Sequence, residues 1–482
     1  MLKIYQHKMR FLLIVIISSL SACSFGPNFK KPNFENPFSF TREGSSAQNK
    51  NPNIVNIEAQ WWRAYGSEQI NQLVEQALRH NPNIESGVAN LKVAQANVRA
   101  QQGLFFPSMG AGYSLTRQNV GPILQSSLNT GDQIYNLHTA GLTVGFAPDL
   151  WGGNRRQVES LKALGNAQSY QLEALKTTIA TNVVATVIQE ASLREQVKAV
   201  RELAQASKEQ LEHARRLRAA GYSSSLDLAL QESLYAQAIS QVPVLEKARE
   251  QSLDLLATLC GKMPSEQLLL PSLQNIQLPS PLPSSIPSKF VEQRPDIKIA
   301  EEYVRAANAQ IGVATANMLP QISLTGNFGS VANFFGDLSS SANTVWSAAG
   351  GISQPLFQGG SLFARKRAAE AAVEASIGQY KSTVLSAFQN VADTLYAIDA
   401  DGRYYKSALE NEKANQIIFE QSDRQLKAGY LSEAGMLLAK QTYLQSKINS
   451  LQAYATYFGD TTALYQALGG GWSKDQTQIY KN

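Results

Sequence analysis

The residues with the plainest chemistry are Leu20-Ser21-Ala22-Cys23. They close a short apolar run, Phe11 to Leu20, that follows the positive residues Lys3, Lys8 and Arg10. The run is too short to span a bilayer. Small residues before a cysteine at this place form a lipobox, in which the Cys23 thiol takes a diacylglyceryl group and the chain is cut before it. Acyl chains contribute roughly 0.8 kcal/mol per buried CH₂, so several chains hold a protein firmly on a membrane. Ser24 follows the cysteine. In enteric-type sorting an Asp there retains the chain at the inner membrane, so Ser points to the outer one.

The remaining residue types form no catalytic constellation. His80, His138 and His213 lie on separate segments without ligand spacing. There is no His-Glu-x-x-His, no Gly-x-Ser-x-Gly and no P-loop. Gly110-Ala111-Gly112 lacks the third glycine of a dinucleotide fingerprint. Cys260 is the other of two cysteines. With Cys23 lipidated no intramolecular disulfide can form, and Cys260 ends an apolar helical stretch as a small core residue. A net charge of +5 without a basic-aromatic patch argues against nucleic acid. No enzymatic activity, no cofactor and no metal site is expected. No stretch after Cys23 is apolar over the roughly 18 residues of a membrane-spanning helix.

The chain reads as two halves of one plan. Asn81-Pro82-Asn83-Ile84 opens an Ala-rich helix that ends at Phe105-Phe106-Pro107. Arg294-Pro295-Asp296-Ile297 opens another that ends at Met318-Leu319-Pro320. Trp151-Gly152-Gly153 and Gln358-Gly359-Gly360 each precede a long helix. Ala220-Gly221-Tyr222 and Ala428-Gly429-Tyr430 interrupt those helices. Leu259-Cys260-Gly261 and Ala467-Leu468-Gly469 close the halves. Every pair stands about 210 residues apart, the mark of an internal repeat.

Four strand candidates alternate with period two. In the first, about 107–119, Met109, Ala111, Tyr113 and Leu115 oppose Ser108, Gly110, Ser114 and Thr116. In the second, about 137–148, His138, Ala140, Leu142, Val144 and Phe146 oppose Thr139, Gly141, Thr143 and Gly145. In the third, about 321–330, Ile322, Leu324, Gly326 and Phe328 oppose Gln321, Ser323, Thr325 and Asn327. The fourth, about 344–354, is rich in Gly and Ala. Each has about the 9–11 residues that cross a bilayer at a tilt. One face is apolar and the other small and polar, which suits lipid outside and water inside. Met109, Tyr113, Leu142, Val144, Phe146, Ile322, Leu324 and Phe328 form the expected lipid face. Between Gln321 and Ala364 the only charged residue is Asp337. An ordinary half-buried antiparallel sheet is the plainer alternative. Four strands cannot close a barrel, and lipid does not tolerate an open sheet edge. The membrane reading therefore demands oligomerisation, and three chains would supply twelve strands.

Long helices are expected over about 154–218 and 361–427. At 1.5 Å per residue the first would extend about 98 Å. Leu193, Val197, Val200, Ala204, Ser207, Leu211 and Ala214 alternate steps of four and three, the coiled-coil spacing. The shorter helices 82–103 and 224–260, stacked end to end, would nearly match one long helix. This suits a wall of antiparallel helices continuing below a barrel. Pro243 should kink the 224–260 helix. The expected organisation is a signal peptide over 1–22, an extended arm over 23–55 and a first repeat over 56–277. A Pro/Ser-rich linker over 278–293, a second repeat over 294–468 and a tail over 469–482 follow.

These landmarks resemble the outer-membrane factor family of TolC-like exit ducts, most closely its lipoprotein branch of the NodT and OprM type. The resemblance rests on the lipobox and on Gly26-Pro27-Asn28-Phe29-Lys30-Lys31-Pro32 after it. Gln60-Trp61-Trp62, Arg294-Pro295-Asp296-Ile297-Lys298-Ile299-Ala300-Glu301 and the closing Ala467-Leu468-Gly469-Gly470-Gly471-Trp472 extend it over essentially the whole chain beyond Cys23. It implies a mostly α protein with a membrane β-barrel: a homotrimer whose twelve-stranded barrel, four strands per chain, continues into a periplasmic α-helical coiled-coil tunnel. It implies an outer-membrane site, a periplasmic adaptor and an inner-membrane transporter of the RND (resistance-nodulation-division) type as partners. Small molecules would be conducted without chemistry. The exit duct of a type I secretion system is the alternative within the family.

The tip of such a tunnel is expected at the turns Arg218–Ser225 and Lys427–Glu433, with Gly221 and Gly429 permitting the reversals. Arg218, Tyr222, Asp227, Tyr430 and Glu433 are candidates for inter-chain contacts that hold the tip shut. Where many members of the family carry aspartates after the second turn, this chain has Gly435 and Leu438. That argues for an apolar constriction, with Met436 or Leu437 nearby. Asp227 occupies the place in the first half that matches Gly435 in the second. Two other classes share some of these parts. A periplasmic adaptor has long helical hairpins but not paired lipid-facing strands in both halves. A lipid-anchored coiled-coil scaffold explains the seam but not the uncharged stretch.

Overall fold

The computed structural model describes residues 25–33, 60–119, 134–279 and 293–470. The expected signal peptide, Cys23, most of the arm, most of the 278–293 linker and the tail from 471 lie outside the described residues.

Both halves run through the same elements. In the first, α1 (Glu68–His80) precedes α2 (Pro82–Gly103), β1 (Ser108–Asn119), β2 (Ile134–Phe146), α3 (Gly153–Ala219) and α4 (Ser225–Leu259). In the second come α5 (Pro295–Ala316), β3 (Gln321–Ala332), β4 (Thr344–Ser353), α6 (Ser361–Lys427) and α7 (Glu433–Ala467). The long helices α3 and α6 hold 67 residues each. The returning helices α4 and α7 hold 35 each, and α4 continues through Pro243. β2 starts ahead of the expected 137 because Ile134, Tyr135 and Asn136 still pair with β1, up to Asn119. It ends before Pro148, which has no N–H to offer a ladder.

Two compact units cut across the repeats. One gathers 25–33, 91–168 and 300–380, and so holds all four strands. The other gathers 60–90, 169–279, 293–299 and 381–470 and is helical. Each repeat contributes to both units, because each long helix begins in the first and continues in the second.

In the helical unit the four-three seam of α3 is the buried one. Leu193, Val197, Val200, Ser207, Leu211 and Ala214 are all buried. Ala199, Val200 and Leu203 pack with Ala238 of α4 and with Leu444 and Ile448 of α7. Small side chains there bring main chain within reach of hydroxyls: Ser192 Oγ donates to Leu451 O at 2.6 Å. Glu190, fully buried, ties α3 to α4 through Arg249 at 3.1 Å, with Arg194 at 3.4 Å on its other side. Aromatic pairs join α6 to α7, with Phe419 on Tyr443 at 5.8 Å and Tyr405 on Tyr457 at 6.0 Å.

The residues before the two helix-opening prolines explain why the repeats are punctuated as they are. Proline suits the first helical position, where an N–H has no intrahelical partner. The last carbonyls of a helix equally lack partners and need outside donors. Asn81 Nδ2 donates to Leu259 O, at the end of α4, at 2.9 Å. Arg294 Nη1 donates to Ala467 O, at the end of α7, at 2.7 Å, while Asp296 holds the same guanidinium at 2.7 Å. Each half is thus fastened start to finish. Trp61 stacks on Tyr465 at 4.9 Å, and Tyr65 Oη shares a 2.8 Å hydrogen bond with Thr462 beside the same joint. Cys260 is fully buried against Leu73 O, and burial pushes its thiol up to about 11, which leaves it inert as a nucleophile.

Asp460 on α7 is raised to about 7, by burial first and then by the Asp401 carboxyl of α6 beside it. The folded chain therefore keeps a proton that the unfolded chain releases near its ordinary carboxyl value of about 3.9. The stability that this proton brings is full below about pH 4 and is lost as pH rises through about 7. Asp460→Asn, neutral throughout, is expected to melt at a higher temperature than the parent above about pH 7 and at the same temperature near about pH 4. Circular dichroism melts in detergent at the two pH values check this.

Candidate functional site

The sheet has the order β1-β2-β3-β4, antiparallel throughout. Residues paired across a ladder share a face, so the register builds rows of side chains. Ala111, Leu142, Phe328 and Trp346 form one row, and Met109, Val144, Gly326 and Ala348 the next. Phe146, Leu324 and Gly350, then Ile322 and Ile352, continue the same face. The opposite face carries Gly110, Thr143, Asn327 and Ser347, with Asn327 Nδ2 donating to Ser347 Oγ at 3.1 Å. Seven of the apolar residues expected together, Met109, Leu142, Val144, Phe146, Ile322, Leu324 and Phe328, fall in these rows, and Tyr113 joins them opposite Ala140. Trp346 and Ile352, about three-quarters exposed, complete the face on a strand whose Gly and Ala content hides the alternation.

Asp337 sits in the short 3₁₀ turn Phe335–Ser339 between β3 and β4, so both strands are free of charge. At the same end Tyr113 Oη and His138 Nδ1 lie 2.8 Å apart, with the Phe335 ring 5.9 Å from the tyrosine and 6.1 Å from the imidazole. Aromatic groups of this kind favour the membrane–water boundary. Among the described residues β1 and β4 each keep one edge without a strand partner. No helix of the described residues is long and apolar enough to cross a membrane, and none of their His, Cys, Asp or Glu groups is arranged to hold a metal ion.

The two turns between long and returning helices are built alike. Tyr222 N donates to Leu217 O at 2.9 Å and Gly221 N to Arg218 O at 3.0 Å. Tyr430 N donates to Gln425 O at 2.9 Å and Gly429 N to Leu426 O at 3.0 Å. This is the Schellman end of a helix, and it needs a left-handed residue. Gly221 has φ 78° and Gly429 φ 80°. A Cβ at either would meet nothing within 4 Å, so the backbone alone demands glycine.

The helices that follow start differently. Ser224 Oγ accepts from Asp227 N at 3.1 Å, and the Asp227 carboxylate accepts from Ser224 N at 3.0 Å, a reciprocal capping box. Those bonds, the Ser224 hydroxyl foremost, hold the Asp227 carboxyl below its usual range. In the second turn Gly435 N donates to Ser432 Oγ at 3.2 Å, with no acid to return the bond. Arg218 Nη1 donates to Ser225 Oγ at 2.5 Å across the first turn. Tyr222 and Tyr430 are 83% and 86% exposed, and Leu438 is 61% exposed on the open side of α7. Leu437 is 1% exposed and packs inside the chain, so it cannot line a passage; of the two residues expected near Leu438, only Met436 remains partly open.

One cluster here escapes the sequence. Glu433 Oε2 at the start of α7 lies 3.3 Å from His213 Nδ1 and 3.6 Å from Arg216 Nη2, both in the last turns of α3. It links the two hairpins of one chain. The basic i,i+3 pair at the end of α3 was the only available signal, and it pointed to the helix dipole as readily as to a partner.

The chain matches the family model described as outer membrane efflux protein over residues 73–262 and 286–470. It is 29% identical over 433 residues to the pyoverdine export outer membrane protein OpmQ of Pseudomonas aeruginosa, across 86% of this chain and 88% of that one. It is 26% identical over 477 residues to the probable efflux pump outer membrane protein TtgC of Pseudomonas putida, across 97% and 96%. Among solved structures, the outer-membrane channel OprN superposes with a TM-score of 0.80 at 27% identity, covering 93% of this chain and 100% of that one. The open state of the MtrE channel of Neisseria gonorrhoeae gives 0.79 at 25%, covering 93% and 98%. The chain belongs to the outer membrane efflux protein family. It is an outer-membrane efflux channel of the TolC-like kind, mostly helical with a small membrane sheet, as the resemblance implied.

His213, Arg216 and Glu433 are partly exposed, so their pairs are each worth at most about 1 kcal/mol. Glu433→Gln also removes a carboxylate from a helix N-terminus, where it is favourable. The expected result is a two- to fivefold faster amide exchange, about 0.4–1 kcal/mol, over the first turn of α7, with the buried middle of α7 unchanged. Hydrogen-exchange mass spectrometry of the peptide spanning Glu433 and Leu437 measures it.

Proposed function

We propose that three copies of this chain form a lipid-anchored duct that carries small molecules out of the cell envelope. The observation that carries the reading is the sheet, with one apolar face, one small polar face and two unpaired edges. Joining β4 of one copy to β1 of the next closes twelve strands and leaves no backbone group unpaired in lipid. The exposed apolar residues of α6, Tyr396, Tyr404, Ile417 and Ile418, offer neighbouring copies a second contact. Repeats over 56–277 and 294–468 then alternate around the ring.

Cys23 is the acylation site, and the helical unit stands in the periplasm. A periplasmic adaptor and an inner-membrane transporter of the RND type complete the assembly and supply the energy. The export role of OpmQ and the efflux role of TtgC support small molecules as cargo. The turns around Gly221 and Gly429 form the periplasmic tip. Arg218, Tyr222, Asp227 and Tyr430 hold it shut between copies, Glu433 being engaged by His213 and Arg216 of its own chain, and a ring of Leu438 beside Gly435 makes the constriction apolar.

The test is electrical and electrophoretic. The purified chain is expected to run as a heat-sensitive trimer and to conduct ions in planar bilayers. A detergent-independent monomer without conductance would sink the duct. Leu438→Asp is expected to raise cation preference and alter the single-channel conductance; an unchanged trace removes Leu438 from the constriction.

A further inference from the structure

The apolar face of the sheet ends in groups that hydrocarbon does not call for. Beyond Tyr113, on the same face as Met109 and Ala111, β1 carries Leu115 and then Arg117. Opposite them on β2 stand His138 and Asn136. This is the end of the strands away from the helices, because α2, α3, α5 and α6 all join the sheet at the other end. Arg117 is exposed, and among the described residues it has no ion pair; Asp337, in the turn after β3, does not pair with it. Tyr113 Oη and His138 Nδ1 lie 2.8 Å apart. With the hydroxyl donating to Nδ1, the proton of the ring stands on Nε2, free for an acceptor oxygen.

Height places this cluster. At about 3.4 Å per residue β2 climbs about 34 Å along itself from Phe146 to Asn136, which at a tilt of about 40° is about 26 Å across a membrane. The outward apolar band of a membrane barrel is about 25 Å tall, with aromatic girdles at both borders. The lower border is marked by Phe106, just before β1, and by Leu356 and Phe357, just after β4, all exposed. The upper one is marked by Tyr113 and the Phe335 ring against it. Arg117, Asn136 and His138 therefore stand level with the headgroups of the far leaflet, on the lipid side. A guanidinium beside hydrocarbon needs a counter-charge. A headgroup phosphate supplies it and matches the guanidinium fork with two parallel bonds.

We propose that Arg117, Asn136 and His138 form a binding site for a phosphorylated glycolipid of the outer leaflet. The helix-joined end of the sheet faces the periplasm, so the far leaflet is the outer one, which in bacterial outer membranes is built from such lipids. The guanidinium takes the phosphate, His138 Nε2 donates to another phosphate oxygen, and the Asn136 amide meets a sugar hydroxyl. Tyr113 is a positioning residue that holds the imidazole through Nδ1. A neighbouring copy joined to the β1 edge pairs main chain only and leaves this face open. The inference rests on the apolar face of the sheet meeting lipid, as proposed above.

The experiment is native mass spectrometry of the purified full-length oligomer in detergent, with bisphosphorylated lipid A or phosphatidylglycerol added. The wild type is expected to retain lipid A in preference to phosphatidylglycerol. Arg117→Gln is expected to weaken retention about tenfold, the worth of one charge-assisted hydrogen bond. His138→Phe and Tyr113→Phe, which keep the rings, are expected to weaken it about threefold. The double variant is expected to be no weaker than His138→Phe alone, because the tyrosine acts only through the imidazole. In every variant the heat-sensitive trimer and its conductance are expected to persist; Arg117→Lys, which keeps the charge and loses the fork, gives an intermediate loss if Arg117→Gln fails to fold. A wild-type chain that forms no trimer and conducts nothing overturns the duct and the site with it. A conducting trimer that retains no lipid A, that holds phosphatidylglycerol equally well, or whose retention Arg117→Gln and Arg117→Lys leave unmoved overturns the site alone.

Discussion

Unpaired main chain is what hydrocarbon forbids, and the architecture of this protein follows from that prohibition. Inside the sheet, β2 and β3 satisfy every neighbour, but β1 and β4 each turn one edge outward. A single copy therefore cannot rest in a membrane as a finished object. The alternation of Met109, Leu142, Phe328 and Trp346 with Gly110, Thr143, Asn327 and Ser347 says which side meets lipid. The edges say that more chains are needed to complete the wall. The helices inherit the same incompleteness: α6 leaves Tyr396, Tyr404, Ile417 and Ile418 exposed, whereas the matching seam of α3 is buried within the chain.

The repeats share a plan but not their chemistry. The joint that fastens each half uses an amide at Asn81 and a forked guanidinium at Arg294 for the same task. In the first half a buried Glu190 binds Arg249 between the long and returning helices. In the second, Tyr457 of α7, at the place that matches Arg249, leans on Gly402 of α6, where a Cβ would stand only 3.0 Å from the ring. The first returning helix opens with a full capping box at Asp227, and the second has Gly435 at that place and turns its acid, Glu433, to His213 and Arg216 instead. The two hairpins of a chain thus spend their acids differently at the turns, one on its own helix cap and one on the neighbouring hairpin.

Much of this was legible in the residues. Strands could be read because lipid on one side and water on the other impose a strict period of two, and the reading weakened at β4, where Gly and Ala blur it and only Trp346 and Ile352 report the face. The long helices were legible from the lack of proline and from the seam that begins at Leu193. What stayed hidden depends on groups without a residue-type signature. Arg156 binds carbonyls of Phe25 and Gly26, and any residue has a carbonyl. Glu433 meets His213 and Arg216 only because α3 and α7 pack together, a pairing of segments far apart in sequence. Leu437 and Leu438 are the same residue type side by side, and only helix packing decides that the first is interior.

The Schellman ends at Gly221 and Gly429 bear on how such a molecule moves. Their carbonyls are already satisfied inside the turn, and the left-handed glycine fixes the direction of the reversal. Bending there would strand those oxygens without a donor. Each hairpin is therefore a stiff oar with a fixed blade. Movement at this end therefore carries each reversal along intact, without a bend at its glycine.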